Sequence, residues 1–447
     1  IMDKESRAGE PKKKGGKRKG SELGTAPGYY DLEELLLSCA QAVSRYDIKK
    51  AKELLEELHQ LGASPIGRTG LHRMAFYFCQ ALEARINGCG SALYAATLAR
   101  DIKVSTADTI RALKAVFETS HPIKISHFLA NQSIADVTRG CSHVHIINYG
   151  IAYGIQWTYV IKALSEREGG PPYLVITGVD FPKPGADDPA VTVKETGRRL
   201  AEYARTWKVP FQYHPVASSK WEELDAESLR INPTWRRSQT ALVVSSMKRL
   251  REIPEESTLQ DQNALLHGCG GRRKSTMSPR QKLLCRICSF KPDLFVLGVA
   301  NAGYNVPIFT TRFKEALQYY SSIYDMLDAS TTAGDSPERM LVERRILARG
   351  IVNVVACEGV DRGERPETYR HWQARMERAG FQQLPLPPTL LARSTAYVRK
   401  RYHPDCTVFE ERGSPWLLVG WRGRTFVALS TWKPLATWNL SNGLVTT

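Results

Sequence analysis

The chain has 447 residues, of which 42% are hydrophobic and 24% charged, a composition typical of globular proteins. It has no run near the roughly 18 apolar residues that a membrane helix requires, so we predict no membrane partner. Nine scattered cysteines, and an N-terminal stretch without an apolar core, predict reduced thiols in an intracellular protein. The formal net charge of +16 favours polyanions as partners, because basic surfaces neutralise phosphates.

The first segment, residues 1–28, is rich in Lys, Gly, Pro and Ser and is predicted to be a disordered basic tail. Its first 20 residues carry eight basic and three acidic side chains, which contribute +5 and leave +11 for the rest of the chain. The run PKKKGGKRK is typical of a nuclear import signal or a nucleic-acid-binding arm, although a solvated charge run has the same composition. The predicted import residues are Lys12, Lys13, Lys14, Lys17, Arg18 and Lys19.

Residues 29–120 are predicted to form a helical cap. The apolar residues between positions 32 and 43 recur with the spacing of one helix face, and Gly62 and Gly88 suit the ends of two further helices. Two leucine stripes resemble the faces of helices that dock into a partner's groove, although such stripes more often belong to a bundle's own core. The stripes comprise Leu32, Leu35, Leu36, Leu54, Leu55 and Leu58.

Residues 121–434 are predicted to form an α/β core. Short apolar runs alternate with helical stretches, a pattern typical of a parallel sheet that is covered on both faces. The segment 416–432 predicts an antiparallel hairpin around a tight Arg-Gly turn. We therefore expect a doubly wound, Rossmann-like sheet of the class I methyltransferase type that ends in this hairpin. A basic loop at about 258–277 and a C-terminal tail at 435–447 complete the predicted organisation.

The first strand of this core is followed by a glycine-containing turn and a helix, where backbone N–H groups could bind an anion. Asp180 ends the next strand, where a nucleotide-type cofactor needs a carboxylate for its ribose hydroxyls. The turn has fewer glycines than a dinucleotide-binding loop, so an ordinary tight turn is the competing interpretation. The candidate ligand-binding residues are Val144, His145, Ile146, Ile147, Asn148, Gly150, Gly154, Gln156, Trp157 and Asp180.

Motifs for catalysis and metal binding are weak. The sequence has no nucleophile elbow, no His-Glu-x-x-His motif and no phosphate-binding loop, so we predict no catalytic residue, no metal and no cofactor. Cys285 and Cys288 have a CxxC spacing, with His267 and Cys269 upstream, but these four residues do not have the spacing of a zinc site. We therefore expect the two thiols to be small core residues on one helix face.

Five blocks along the chain resemble, in order, the motifs of the plant GRAS family of transcriptional regulators, and in particular its scarecrow-like branch. The blocks are a leucine-rich region at 32–120, VHIINYGIAYGIQW at 144–157, a second leucine-rich region at about 190–230, a block at about 241–330 that contains NAGYNVPIFTTRFKEAL, and a last block from about 330 to 434. The sequence departs from the family pattern at Asn148, where Asp is usual, and at Arg345, where Glu is usual.

The resemblance implies a Rossmann-like core with a helical cap, a nuclear location, and a role in regulating transcription rather than in catalysis. It also implies DNA-binding transcription factors as partners, direct or indirect contact with DNA, and homo- or heterodimers. The basic residues suited to phosphate contact are Arg272, Arg273, Lys274, Arg344 and Arg345. The alternative is a small-molecule-binding protein or methyltransferase that holds S-adenosylmethionine, or a similar ligand, at the turn after the first strand.

Overall fold

The computed structural model describes residues 29–102, 106–233, 239–255, 277–330 and 337–436. The basic tail at 1–28, with its six import residues, lies outside this part of the chain. Nearly all of the basic loop at 258–277, with Arg272, Arg273 and Lys274, also lies outside it. The functions expected of these segments stay predictions.

Helices account for much of the described chain. They are α1 (Tyr29–Ser44), α2 (Ile48–Gln60), α3 (Gly70–Ile86), α4 (Gly90–Ile102), α5 (Thr106–Thr119), α6 (His121–Val137), α7 (Ile155–Ser165), α8 (Val191–Thr206), α9 (Pro279–Ser289), α10 (Phe309–Ser330), α11 (Pro337–Val342), α12 (Ala348–Ala356), α13 (Tyr369–Arg378) and α14 (Pro388–Arg401). One π-helical segment, Glu343–Leu347, joins α11 to α12. Local chemistry sets some helix starts: the Asp47 side chain accepts a hydrogen bond from Lys50 N at 3.0 Å at the start of α2.

The strands of the described chain form one sheet. They are β1 (His143–Tyr149), β2 (Tyr173–Asp180), β3 (Phe211–Ala217), β4 (Thr240–Met247), β5 (Leu294–Ala300), β6 (Phe381–Gln383), β7 (Cys406–Glu410), β8 (Leu417–Trp421) and β9 (Arg424–Pro434). Their order is β3-β2-β1-β4-β5-β9-β8-β7, and β6 also pairs with β9. The first five strands are parallel, whereas β9 is antiparallel to both β5 and β8. The doubly wound, Rossmann-like sheet with its antiparallel hairpin is therefore confirmed.

Side chains of the sheet alternate between two separate cores. On β1, Val144 and Ile146 pack in the layer of α6, α7 and α8, whereas Ile147 and Tyr149 pack in the layer of α9 and α13. Because helices cover both faces, every position of such a strand can be apolar. This explains why the central strands are continuous apolar runs in the sequence.

The cap is assembled from two distant parts of the chain. Its apolar core combines residues of α1, α2 and α3 with residues of α10 and α12. The predicted division at residue 120 therefore needs correction, because about 301–356 packs with the cap although the sequence pattern assigned it to the core. The physical reason is visible on α10, where Phe313, Leu317 and Tyr324 recur at helical spacing and are all buried. By contrast, α6 packs against the sheet.

The two leucine stripes face inward. Leu35 is partly buried and packs against the cap core. The other stripe residues are each no more than 6% exposed, namely Leu32, Leu36, Leu54, Leu55 and Leu58. This corrects the expectation that the stripes form a partner-binding surface, because each helix already buries its apolar face against other cap helices.

A buried ion-pair cluster links the two parts of the cap. The Arg73 guanidinium on α3 donates from Nε to both carboxylate oxygens of Glu343, at 3.0 Å each, and also pairs with Asp328 at the end of α10. Arg73 is 1% exposed and Glu343 is fully buried. Burial raises the pKa of Glu343, although the charge of Arg73 opposes the shift. These two residues are 270 positions apart, so their contact depends on complete assembly of the cap.

We expect Arg73→Met to lower the free energy of unfolding by about 3–5 kcal/mol, because it leaves the buried Glu343 carboxylate without its main partner. Urea unfolding followed by circular dichroism measures the change. The control is Arg111→Met, which removes an exposed i,i+3 pair with Asp108 and should cost less than about 1 kcal/mol. Equal effects of the two substitutions would contradict the assignment.

Candidate functional site

The turn after β1 is held in a strained conformation at the carboxyl edge of the sheet. Gly150 has φ +85°, Ala152 has φ +46°, and Gly154, which caps α7, has φ +69°. The amides of Gly150 and Ile151 both donate to Val179 O on β2, at 2.8 and 3.1 Å. The turn is therefore fixed by the neighbouring strand rather than left open for a ligand.

The Asp180 carboxylate, which was predicted to bind ribose hydroxyls, is fully engaged within the protein. Its Oδ2 accepts a hydrogen bond from Ala152 N at 2.8 Å, and its Oδ1 accepts one from Phe181 N at 2.9 Å. Arg249, which follows β4, adds an ion pair at 2.8 Å to Oδ1. Asp180 therefore joins the ends of three neighbouring strands.

The side chain of Arg249 covers the turn. A β-carbon built on Gly150 would lie 2.2 Å from Arg249 Cγ and 2.4 Å from its Cβ, so the arginine stem lies directly against the glycine. The guanidinium also pairs with Glu252 at 2.7 Å. Burial lowers the pKa of Arg249, but Glu252 and Asp180 raise it more, so the residue stays charged. The space where a nucleotide-type cofactor would approach the turn contains this side chain, which corrects the expectation of a ligand pocket there.

Asn148 has a structural role in this arrangement. Its amide Nδ2 donates to Ser245 O on β4, and its Oδ1 accepts a hydrogen bond from Trp157 Nε1 on α7, both at 3.0 Å. An aspartate could accept from the tryptophan but could not donate to the carbonyl. Asn148, where the family usually has aspartate, thus forms two buried hydrogen bonds that only an amide can make together.

The other candidate ligand residues also contact protein. Val144, Ile146 and Ile147 lie in the two sheet cores. His145 hydrogen-bonds Thr177 Oγ1 at 2.9 Å, and burial lowers the pKa of His145 to about 4. Gln156 donates a hydrogen bond to Asn131 Oδ1 at 3.0 Å. Because Gly154 has no side chain, it leaves room for the side chains of Thr196 and Leu200.

Two of the predicted phosphate-binding residues, Arg344 and Arg345, lie in the described part of the chain, and they are not brought to this edge. Arg344 is exposed and Arg345 is half-buried, and both lie on the π-helical segment of the cap. Sequence reasoning missed the charged groups that do line the strand ends, namely Arg249, Arg251 and Glu252. A signal was present, since the charged run KRLRE directly follows the apolar strand β4.

Sequence reasoning also missed a basic helix on the surface. Arg399, Lys400 and Arg401 end α14, all three are exposed, and the helix contains no acidic residue. None of the three forms an ion pair with the described part of the chain. Arg393, earlier on the same helix, lies over the Phe128 ring, with its Cζ 5.5 Å from the ring centroid. We call Arg393, Arg399, Lys400 and Arg401 the α14 basic face.

Other chemistry is limited in the described ranges. No group of three or more His, Cys, Asp and Glu residues there could hold a metal ion. Cys285 and Cys288 lie on α9, the first half-buried and the second buried, as predicted for core thiols. Within the same ranges, no helix has the length and apolar character that crossing a membrane requires.

Comparison with known proteins identifies the family. A model of the GRAS domain family matches residues 32–433, nearly the whole described chain. The chain belongs to the GRAS family. The resemblance found in the sequence blocks is thereby confirmed, and GRAS proteins are plant regulatory proteins rather than established enzymes.

Relatives place this GRAS chain near scarecrow-like proteins. It is 40% identical over 408 residues to Scarecrow-like protein 34 and 37% identical over 441 residues to Scarecrow-like protein 11, both of Arabidopsis thaliana. These alignments cover 90% and 97% of the chain but 61% and 67% of the relatives, so the chain spans about two thirds of their length. The crystal structure of SCL7 from Oryza sativa is similar over 92% of this chain and 100% of its own, with a TM-score of 0.69 and 28% identity.

We expect Gly150→Ala to destabilise the fold by at least about 2 kcal/mol more than Gly140→Ala. Both glycines have positive φ, +85° and +74°, so both substitutions introduce backbone strain. Only the methyl group at position 150 also collides with Arg249, because no atom lies within 4 Å of the corresponding position at Gly140. Chemical denaturation of the two variants measures the difference, and similar losses would show that Arg249 does not cover the turn.

We expect S-adenosylhomocysteine to leave the melting temperature of the GRAS chain unchanged. A ligand that binds the folded state must raise it, and Arg249 occupies the turn that this cofactor would need. Differential scanning calorimetry with and without millimolar ligand is the measurement. A reproducible rise in the melting temperature would restore the methyltransferase-like interpretation.

Proposed function

We propose that this GRAS chain is a nuclear transcriptional regulator that works through contacts with DNA-binding transcription factors, and that its own α14 basic face contacts DNA in the complex. Membership of the family across residues 32–433 is the observation that carries the proposal. Nuclear location rests on the basic tail, and dimerisation rests on the family alone. The buried leucine stripes favour a partner surface elsewhere on the molecule.

The α14 basic face supports the DNA part of the proposal. Its cations are exposed on one short helix and are not neutralised by carboxylates of that helix. Each cation that neutralises a phosphate releases a counterion, which favours binding and makes it depend on salt. Such contacts position a protein on a duplex without reading its sequence. The DNA-binding partner would then determine which DNA sequence the complex binds.

An enzymatic alternative has little support. The Asp180 carboxylate and the turn at Gly150 are both engaged by Arg249. Burial shifts the pKa of His145 to about 4 and leaves that ring neutral inside the sheet. Among the described residues at this turn, His145, Asp180 and Arg249 therefore offer a substrate no free base or nucleophile.

The test is a salt titration on random duplex DNA. We expect Arg399→Ala/Lys400→Ala/Arg401→Ala to weaken binding of every sequence alike and to reduce the slope of log K against log salt by up to about 0.9 for each lost phosphate contact. The matched control, Arg45→Ala/Lys49→Ala/Lys52→Ala, removes the same charge from exposed positions at the α1–α2 end of the cap.

The same titration separates the contribution of the basic tail to DNA binding from that of the basic loop. A chain that lacks residues 1–28 should keep the α14 contribution, and Arg272→Ala/Arg273→Ala reports on the loop. If binding disappears with the tail, the folded part is a protein-interaction platform that needs a partner to reach DNA. If the α14 and cap variants lose affinity equally, the effect is one of net charge, and α14 is not a contact surface.

A further inference from the structure

A cavity of about 240 Å³ lies between the cap and the sheet. Its floor is formed by the ends of β4, β5 and β9, and its roof by α10 and the helices that follow it. Met247, Lys248 and Val427 contribute from below, and Tyr319, Ile323 and Leu347 from above. Ligand sites commonly form where two substructures meet in this way. The cavity is separate from the turn at Gly150, which Arg249 covers.

The charged lining of the cavity is unbalanced. Lys248, Arg249 and Arg251 line it with a single carboxylate, Glu364, and of these cations Arg249 already pairs with Asp180 and Glu252. That carboxylate is already shared, since it pairs with Arg251 at 2.9 Å and with Arg349 at 3.1 Å. Burial would raise the pKa of Glu364, but the two arginines hold it at about 2. Glu364 is therefore an anion with two cationic partners and is not available to a third.

Lys248 is the cation without a partner. Its ammonium forms no hydrogen bond and no ion pair with the described residues. Its backbone is held at φ +65° while its amide donates to Gly298 O at 2.6 Å, so the lysine is fixed at the strand end in a conformation that favours glycine. Burial, reinforced by Arg251, lowers the pKa of Lys248 to about 8. The fold thus retains a partly buried ammonium group that the described residues do not neutralise.

The opposite side of the cavity is aromatic and apolar. The rings of Tyr304 and Tyr320 are stacked with their centroids 6.2 Å apart. The rings of Tyr319 and Tyr320 meet edge-on with their centroids 5.4 Å apart. Tyr319 also meets Phe426 edge-on at 5.7 Å. An engineered apolar cavity of roughly 150 Å³ is large enough for benzene, so this one has space for a body of about ten carbon atoms.

We propose that this cavity binds a small amphipathic monoanion, a carboxylate on an aromatic or alicyclic body, with the carboxylate on Lys248 and the body against the tyrosines of the cap. The ligand would contact the cap and the sheet at once. It would therefore stabilise their packing and act as a small-molecule input to a regulatory protein.

The test uses two probes of equal shape and different charge, 2-naphthoate and its neutral amide, 2-naphthamide. Isothermal titration calorimetry on the full chain should show binding of 2-naphthoate at least tenfold tighter than that of the amide. Lys248→Met should reduce the affinity for 2-naphthoate at least tenfold and remove the difference between the probes. Lys208→Met is the control, because Lys208 is exposed and has a similar left-handed backbone, with φ +54°.

Several results would overturn the proposal. They are no binding of 2-naphthoate at millimolar concentration, equal affinities for the two probes, or an unchanged preference of Lys248→Met for 2-naphthoate over the amide.

A thermal melt of Lys248→Met checks folding. We expect this variant to melt at or above the wild-type temperature, because the removed charge has no partner. A second variant, Ile323→Phe, adds bulk inside the cavity and should weaken both probes, and unaltered binding in that variant would place the probe elsewhere.

Discussion

The ion pair between Arg249 and Asp180 sets the shape of the carboxyl edge of the sheet. It joins the loop after β4 to the last residue of β2, and the arginine stem lies on Gly150 between them. The two side chains are 24% and 12% exposed, so loss of either would leave its partner charged in a largely dry site. The strained turn and the engaged carboxylate both depend on this contact.

A Rossmann-like edge that is closed in this way changes where the molecule can work. Strand ends hold ligands in many folds of this type, but the ends of β1 and β2 are used here for internal contacts. Two sets of groups stay available: the α14 basic face is exposed to solvent, and Lys248, directly after β4, faces the cavity under the cap. A Rossmann-like fold therefore says little about function, because function resides in particular side chains.

Periodicity and composition predict the elements well, since the strands and helices have strong apolar patterns. They do not predict contacts between residues far apart in the sequence. The sequence shows Arg249 only as a charged residue after a strand, whether the turn after β1 binds a ligand or is an ordinary tight turn. Its position over Gly150 depends on the packing of three strands. The leucine stripes show the same limit, since an apolar helix face looks alike whether its partner is another protein or α10. The second part of the cap was missed because its helices lie between two strands, where a crossover helix is the ordinary expectation.

The two-part cap has a consequence for biosynthesis. Helices α1–α3 leave the ribosome before the residues that cover their apolar faces, and Glu343, for example, follows its partner Arg73 by 270 positions. Closing so long a loop is slow compared with forming helices. The nascent chain thus carries an uncovered apolar surface while β1–β5 are being made, and it is at this stage that a chaperone has most to protect.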